Sequence, residues 1–283
     1  MHTTINRAGW LVAGVLALFV VAAMTGVVRS GPLDPPGAPS ATGTLPQVEP
    51  RSPIPPVGWN GVFPIVISQP GSYFFTRSLH GVADTSGIQI TTENVSIDLN
   101  GFTLAGASQT GTGIIVVGKQ GAIHISNGVV RDWSDGIDGW FDDNNQAVFS
   151  RVDHVTAVAN AYNGIRLGYE SEITDCNASQ NYRGVVTHYS VVRGCHVTQN
   201  TNIGIYGEVL SLIEDNKVYN NDIGIFTGLG TDTVRFNTST NNQTSDFSFG
   251  GTYNLSDSNV ATCPGKVVGT AQTYNPMYQR NIC

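Results

Sequence analysis

The chain carries one short pattern five times between Val152 and Asn242: an apolar residue, followed eight positions later by an asparagine. Successive copies lie 21, 19, 21 and 21 residues apart. The apolar residues are Val152, Ile173, Val192, Ile213 and Val234, and the asparagines are Asn160, Asn181, Asn200, Asn221 and Asn242. A fixed period near twenty predicts a solenoid, because a unit this small can bury its apolar face only if neighbouring units stack on it.

A Gly–aliphatic pair extends the repeat upstream and predicts seven coils. Its glycines are Gly87, Gly113, Gly136, Gly164, Gly184, Gly204 and Gly224. They lie 26, 23, 28, 20, 20 and 20 residues apart, so the early coils carry insertions, which in solenoids usually form loops on one face. The residue after each glycine is aliphatic in all seven coils, and we expect it to point into the core and the next one outward, since strand side chains alternate.

Each coil has room for about three short strands, which predicts a parallel β-helix. Only 12% of the residues are charged and 33 are glycine, a composition that favours strands and tight turns over helices. A further inward set consists of Ala157, Ala178, Val197, Val218 and Ser239. We interpret the repeated asparagines as turn residues whose amides bond the asparagine of the next coil, and not as catalytic groups.

Several segments resemble the right-handed parallel β-helix repeats of the pectate-lyase-like superfamily. They include Phe63–Ile67, Asn94–Gly101 and Ile213–Ile225, and the similarity covers roughly residues 60–250. The resemblance implies an all-β fold, a single-stranded right-handed parallel β-helix of about seven to eight coils. It does not imply one activity, because the superfamily includes lyases, hydrolases, epimerases, phage tailspikes and non-catalytic surface proteins.

The termini predict an exported protein with four parts. Arg7 precedes an uncharged apolar run of 21 residues, 8–28, so residues 1–29 form a signal peptide or an uncleaved membrane anchor. Residues 30–57 are a proline-rich spacer, 58–250 the β-helix and 251–283 a C-terminal cap. The body of the protein is therefore expected outside the cytoplasm, either anchored to the membrane through the N-terminal helix or secreted.

Four cysteines offer two disulfides. Cys263 and Cys283 bracket the C-terminal tail, where a bridge would close the cap. Cys176 and Cys195 occupy the same place in adjacent coils, and the pattern fits a disulfide and two stacked buried thiols equally well.

The charge excludes one class of partner. A net charge of −7 with only three lysines is not that of a nucleic-acid-binding protein. The chain also contains no nucleotide-binding motif.

The outward residues of the glycine-containing strands form the candidate site, because in the superfamily that this chain resembles active sites commonly lie on an outward strand face. Aromatic rings beside charged groups are what sugars need for stacking and hydrogen bonding. The predicted substrate-binding residues are Trp140, Tyr206 and Phe226, and the predicted catalytic residues are Arg166, His188, Asp138 and Glu208. Arg166 or His188 would take a proton alpha to a uronate carboxylate, with Asp138 or Glu208 holding a cation or acting as the acid. The alternative is an ordinary solvated sheet face.

The coil with the longest insertion is acidic between Asp132 and Asn145, and carboxylates this close together could bind Ca²⁺. The candidate ligands are Asp135, Asp138, Asp142 and Asp143. No EF-hand spacing is present, and a solvated acidic loop is the alternative.

The sequence thus predicts an exported surface β-helix that binds polysaccharide. If the protein is an enzyme, the leading expectation is a lyase-like activity on uronate-containing glycans. The alternative is a structural or adhesive surface solenoid without catalysis. The residues alone leave open which of the two is correct.

Overall fold

A computed structural model describes residues 51–118, 120–139, 150–228, 230–251, 254–262, 267–269 and 272–273. All of them belong to one of the two units into which the chain divides, Glu49–Cys283. In this part of the chain no helix is long and apolar enough to cross a membrane. The predicted export segment, residues 1–29, lies outside the described residues.

One strand from each coil enters a ten-stranded parallel sheet. Its strands are β2 (Ile65–Ile67), β5 (Ile88–Ile90), β8 (Thr112–Val116), β10 (Asp135–Gly139), β12 (Asn163–Leu167), β15 (Arg183–Thr187), β18 (Ile203–Gly207), β21 (Ile223–Thr227), β24 (Ser245–Phe249) and β27 (Val267–Gly269). Their sequence order is also their order in space, so each coil stacks on the one before it.

The remaining strands form an eighteen-stranded sheet that wraps the other sides of the coils. They are β1 (Ser52–Ile54), β3 (Gly71–Phe75), β4 (Leu79–His80), β6 (Val95–Asp98), β7 (Thr103–Ala105), β9 (Ile123–Arg131), β11 (Ser150–Val158), β13 (Glu172–Thr174), β14 (Asn177–Ser179), β16 (Val191–Arg193), β17 (His196–Thr198), β19 (Leu212–Glu214), β20 (Lys217–Tyr219), β22 (Thr233–Arg235), β23 (Thr238–Thr240), β25 (Leu255–Asp257), β26 (Val260–Ala261) and β28 (Gln272–Thr273).

The predicted right-handed parallel β-helix is confirmed. Ten stacked strands are separated by nine turns of the chain, somewhat more than the seven to eight coils expected. Seven of the ten strands carry the Gly–aliphatic pair, and the other three, β2, β24 and β27, lack it.

The solenoid also extends beyond the predicted boundaries of 58 and 250. Strand β1 lies inside the predicted spacer and pairs with β3, and strands β25 to β28 lie inside the predicted cap and continue the ladders. Their coils diverge from the repeat in sequence, but the backbone hydrogen bonds of a sheet do not depend on side-chain identity.

The inward ladder follows the sequence pattern. The seven aliphatic residues after the repeat glycines pair in register from Ile88 to Ile225, and each has a relative exposure of 0%. The glycines are required by space: a Cβ on Gly184 would lie 2.6 Å from the Gly204 carbonyl oxygen and 2.6 Å from Val197 Cγ1. Coils can therefore stack closely only if this position has no side chain.

The predicted asparagine ladder is confirmed. Asn181 donates from its backbone N–H and from Nδ2 to Asn200 Oδ1, both at 3.0 Å, and its Nδ2 also donates to the Ala157 carbonyl at 3.1 Å. Asn160, Asn200 and Asn221 make the same two bonds to the asparagine of the next coil. In each turn the residue before the asparagine has the left-handed backbone conformation, as in Gln180 (φ 57°). The asparagine therefore stabilises the turn through the hydrogen bonds of its amide and not through its own backbone conformation.

Cys176 and Cys195 are free thiols, so of the two alternatives that the sequence left open the structure has the stacked buried thiols and not the disulfide. Both are buried in a corner that Asn216 and Asn237 occupy in later coils, and the Cys195 N–H donates to Asn216 Oδ1 at 2.9 Å. The hydrogen bond with Cys195, together with burial, raises the pKa of the Cys176 thiol well above its usual value. The other predicted pair, Cys263 and Cys283, lies outside the described residues.

A row of charges crosses the outer surface of the eighteen-stranded sheet. Glu214 lies between Arg193 and Arg235 on adjacent strands and accepts hydrogen bonds of 2.6 Å from the Nε atom of each. Burial alone would raise the pKa of Glu214, but the hydrogen bonds from Arg235 and Arg193 outweigh it and lower the pKa below its usual value.

We expect Glu214→Gln to lower the free energy of unfolding at pH 7 by about 1–2 kcal/mol, because the two half-exposed arginines lose a charged acceptor. Since the folded pKa lies below the unfolded one, this stabilisation is complete above the unfolded pKa and is lost as the pH falls toward the folded pKa. Urea unfolding at pH 7 and near pH 3 measures this effect. The difference in the free energy of unfolding between the variant and the wild type should become smaller at the lower pH. A pH-independent difference would contradict the assignment, and Glu172→Gln, at a more exposed ion pair with Arg151, is the control.

Candidate functional site

The outer face of the ten-stranded sheet presents the predicted outward row in register. Gln89, Ile115, Asp138, Arg166, Val186, Tyr206 and Phe226 pair successively across neighbouring strands. His188 lies two residues after Val186, and Glu208 lies two residues after Tyr206. Both are at the end of the same face. Trp140, the remaining predicted binding residue, lies outside the described residues.

Asp138 and Arg166 form a two-point ion pair at the centre of this face. Arg166 Nε donates to Asp138 Oδ1 at 3.0 Å and Nη2 donates to Oδ2 at 2.6 Å. Burial alone would lower the pKa of Arg166, but the hydrogen bonds and charge of Asp138 outweigh it and raise the pKa. A guanidinium held in this way gives up its proton even less readily, which opposes the predicted role of Arg166 as a base.

Among the four candidate calcium ligands, Asp135 and Asp138 are described. Asp135 Oδ1 accepts from Asn163 Nδ2 at 2.7 Å, and both oxygens of Asp138 accept from Arg166. Asp142 and Asp143 lie outside the described residues, so the calcium site stays a prediction.

Trp133, from the same acidic stretch, belongs to the core and not to a surface loop. It is 0% exposed, and its Nε1 donates to the Leu104 carbonyl at 3.1 Å. Its burial anchors the strand that carries Asp135 and Asp138.

Two tyrosine stacks flank the face. At the start of strands β12 and β15, Tyr162 and Tyr182 stack with ring centroids 5.4 Å apart and planes 10° apart. At the end of the same strands, Tyr169 and Tyr189 stack at 5.1 Å and 12°. In each coil the two tyrosines are seven positions apart, on either side of a five-residue strand, so the stacks lie about 20 Å apart.

His188 joins the second stack. Its ring centroid lies 4.8 Å from that of Tyr169 and 4.6 Å from that of Tyr189. Burial lowers the pKa of His188, against the opposite effect of the Glu208 charge. The imidazole is therefore mainly neutral at pH 7 and can accept a proton.

Tyr206 and Phe226 continue the aromatic surface toward the later coils, with ring centroids 5.2 Å apart and planes 57° apart. Arg183 lies against this surface. Its guanidinium carbon is 5.4, 5.7 and 5.3 Å from the ring centroids of Tyr162, Tyr182 and Tyr206, so one cation contacts rings from three coils.

Asp232 lies behind the face, beneath Gly207. It is 0% exposed; Oδ1 accepts from the Ser211 N–H at 2.7 Å, whereas Oδ2 has no hydrogen-bond partner in the described ranges. Burial raises its pKa, and the nearby Glu208 charge adds to this effect. It takes the corner position that Ser171, Ser190 and Ser211 hold in earlier coils, and so is a structural residue.

The sequence predictions missed the tyrosine stacks and Arg183. A signal was available, because Tyr162 and Tyr182 each stand two residues before a repeat glycine and Tyr169 and Tyr189 five residues after it. Aligning the coils on the glycine therefore places each pair in adjacent coils. The contact between Arg183 and Tyr206 carries no such signal, since the two occupy different positions of the repeat.

Comparison with solved structures supports the fold. The chain is similar to the crystal structure of Dettilon tailspike protein (gp208), with a TM-score of 0.56 and 15% identity over 75% of this chain and 60% of that one. A second tailspike, the enzymatically active domain of bacteriophage CBA120 tailspike protein 2, aligns with a TM-score of 0.42 and 13% identity over 75% of this chain and 42% of that one. The chain thus spans well under two thirds of each, and at these identities the first likeness concerns the fold alone.

A search of curated proteins found no match. A family model does match: that of NosD, described as periplasmic copper-binding protein, over residues 88–262. The match covers more than half of the chain and includes strands β5 to β26 of the solenoid. The chain therefore belongs to the NosD family of β-helix proteins.

Proposed function

We propose that this protein is an exported β-helix that binds polysaccharide across the outer face of its ten-stranded sheet. The observation that carries the proposal is the pair of tyrosine stacks, Tyr162–Tyr182 and Tyr169–Tyr189, with charged groups between them. The periplasmic location in the family's description agrees with the predicted export segment.

The arrangement suits a chain of sugars. Tyr162, Tyr182 and Tyr189 are 40%, 37% and 38% exposed, so flat apolar rings face solvent at both edges of the face. Between them Arg166 and Asp138 supply polar groups that are already oriented by their ion pair. A distance of about 20 Å between the stacks is a length that several sugar rings placed end to end would occupy.

The enzymatic version of the proposal rests on His188. A neutral imidazole beside two tyrosine rings could accept the proton alpha to a uronate carboxylate, with Glu208 close enough to influence its pKa. Arg166 is less suited to this step because of its ion pair with Asp138.

The family's description names copper. In this chain His124 and His154 both hydrogen-bond Asp153, and Cys176 and Cys195 are buried thiols in the core. Within the described ranges no group of three or more His, Cys, Asp or Glu side chains is placed to hold a metal ion. The described residues therefore do not fit a copper ion.

Retention of the purified protein on a panel of polygalacturonate, alginate, galactan and dextran tests the proposal. We expect at least one of these polymers to bind. Tyr182→Ala should weaken that binding about tenfold, because it removes one aromatic contact worth about 1.4 kcal/mol. Lyase activity is tested separately, by measuring the absorbance of unsaturated products with and without calcium.

Tyr219→Ala is the matched control, because Tyr219 contacts His196 on the eighteen-stranded sheet and not the proposed face. Equal losses from both tyrosine variants would contradict the location of the site. Retention on none of the polymers would favour the structural or adhesive alternative.

A further inference from the structure

Arg183 differs from the other arginine of the proposed face. Arg166 gives two hydrogen bonds to Asp138, whereas the side chain of Arg183 forms no ion pair or hydrogen bond within the described part of the chain. Its Nε is buried and has no hydrogen-bond partner among the described residues, although a buried polar group of this kind normally has one. Its contacts are with the rings of Tyr162, Tyr182 and Tyr206.

These contacts hold the guanidinium without neutralising it. Arg183 lies between Asn163 and Ile203 in the sheet register, so no carboxylate is its direct neighbour on the adjacent strands. Aromatic rings attract a cation through their faces and leave its N–H groups available for an acceptor. Glu208 lies two residues after Tyr206, just beyond the end of β18, and no ion pair joins it to Arg183 among the described residues.

The position of Arg183 links it to the sugar-stacking rings. The same tyrosines that contact the guanidinium form the exposed stack at the start of β12 and β15. Tyr182 is further oriented by Asn202, whose Nδ2 donates to the tyrosine hydroxyl oxygen at 2.6 Å. A sugar stacked there would therefore bring its substituents within reach of a fixed cation.

From this geometry we propose that Arg183 recognises the acidic group of a saccharide, so that the face selects acidic over neutral polysaccharide. The inference rests on the proposed function and adds the substrate class. The guanidinium pairs with a carboxylate or sulfate through two parallel N–H groups, and its fixed orientation reduces the entropy lost on binding. Asp138 already neutralises Arg166, which leaves Arg183 as the cation for this role on the described part of the face.

The test compares oligogalacturonate with the same oligosaccharide after its carboxyl groups are reduced to alcohols, using calorimetry on the whole protein. A sulfated galactan and its unsulfated form make the corresponding comparison for sulfate. We expect the wild type to bind an acidic member about tenfold or more tightly than its neutral counterpart, with an affinity that falls as salt is raised. Arg183→Gln should remove that preference while binding of the neutral form is retained, and Arg183→Lys should keep part of it.

Lys217→Gln is the matched control, since it removes the same charge from an exposed position on the eighteen-stranded sheet. Equal binding of the acidic and neutral forms by the wild type would overturn the inference while leaving the proposed function in place. An unchanged preference in Arg183→Gln would overturn it as well, provided that circular dichroism shows the variant folded. Absence of binding to any saccharide would overturn the proposed function itself, and the inference with it.

Discussion

Replacing Trp133 with alanine is expected to lower the free energy of unfolding by about 3–5 kcal/mol, the range for removing a large aromatic side chain from a packed core. Trp133 is 0% exposed, and glycines of neighbouring coils leave the space that its ring fills. A Cβ added at Gly81 would lie 2.2 Å from the ring, and one added at Gly113 would lie 2.9 Å from it. Backbone packed this closely cannot collapse into the cavity that alanine leaves.

The substitution also removes a hydrogen bond, because the Leu104 carbonyl would lose the indole N–H that now donates to it. Equilibrium unfolding in urea, followed by circular dichroism, measures the loss. The free energy of unfolding of Trp133→Phe should lie between those of Trp133→Ala and the wild type, because phenylalanine keeps much of the side-chain volume but not the hydrogen-bond donor. Trp59→Ala is the control at a partly exposed tryptophan whose indole bonds the Val62 carbonyl. A loss below about 1 kcal/mol for Trp133→Ala would contradict the cavity argument.

Asn200→Ala is the second substitution with a large expected effect. It should lower the free energy of unfolding by about 2–5 kcal/mol. Asn200 Oδ1 accepts the backbone N–H and the Nδ2 of Asn181, and its Nδ2 donates to the Ala178 carbonyl at 3.1 Å and to Asn221 Oδ1 at 2.9 Å. Alanine would leave several of these buried groups without partners, at about 1–3 kcal/mol for each. The cost is therefore set by the neighbours that the amide satisfies.

The same urea experiment measures this loss, and Asn202→Ala is the matched control. Asn202 carries the same amide two residues away, but its side chain bonds the exposed Tyr182 hydroxyl and not the ladder. We expect the control to cost less than about 1 kcal/mol. Similar losses for the two variants would show that the ladder contributes no more than an ordinary surface amide.

The two substitutions concern different parts of one continuous structure. Trp133 contacts the early, irregular coils, and its backbone N–H donates to Asn160 Oδ1 at 3.1 Å, where the asparagine ladder begins. In a stacked repeat each coil is stabilised mainly by its neighbours, so damage at one coil weakens the interfaces on both sides. The tyrosine stacks of the proposed face lie on the coils between these two positions, so the stability of those coils is a condition for the site.

Much of the fold was predictable because the signals are local and repeated. The period defines the coil, alternation after each glycine defines the inward ladder, and the asparagines define one corner. The number of coils was underestimated, since Ser245–Phe249 and Val267–Gly269 pair as strands without the glycine pattern. The cysteines were undecided because a shared corner position is compatible with both a bond and two thiols, and only the side-chain positions distinguish them.

The candidate site was predictable only as a list of residues on one face. The alternation of β12 places Arg166 outward, and the register places it beside Asp138, as the structure shows. By itself, then, the sequence determined the solenoid, its core and the outward row. Only the tertiary structure decided that Arg166 is held in an ion pair while Arg183 contacts three aromatic rings. The physical reason is that strand alternation specifies the face on which a side chain lies, whereas a long side chain can reach partners on several coils spaced about 4.8 Å apart.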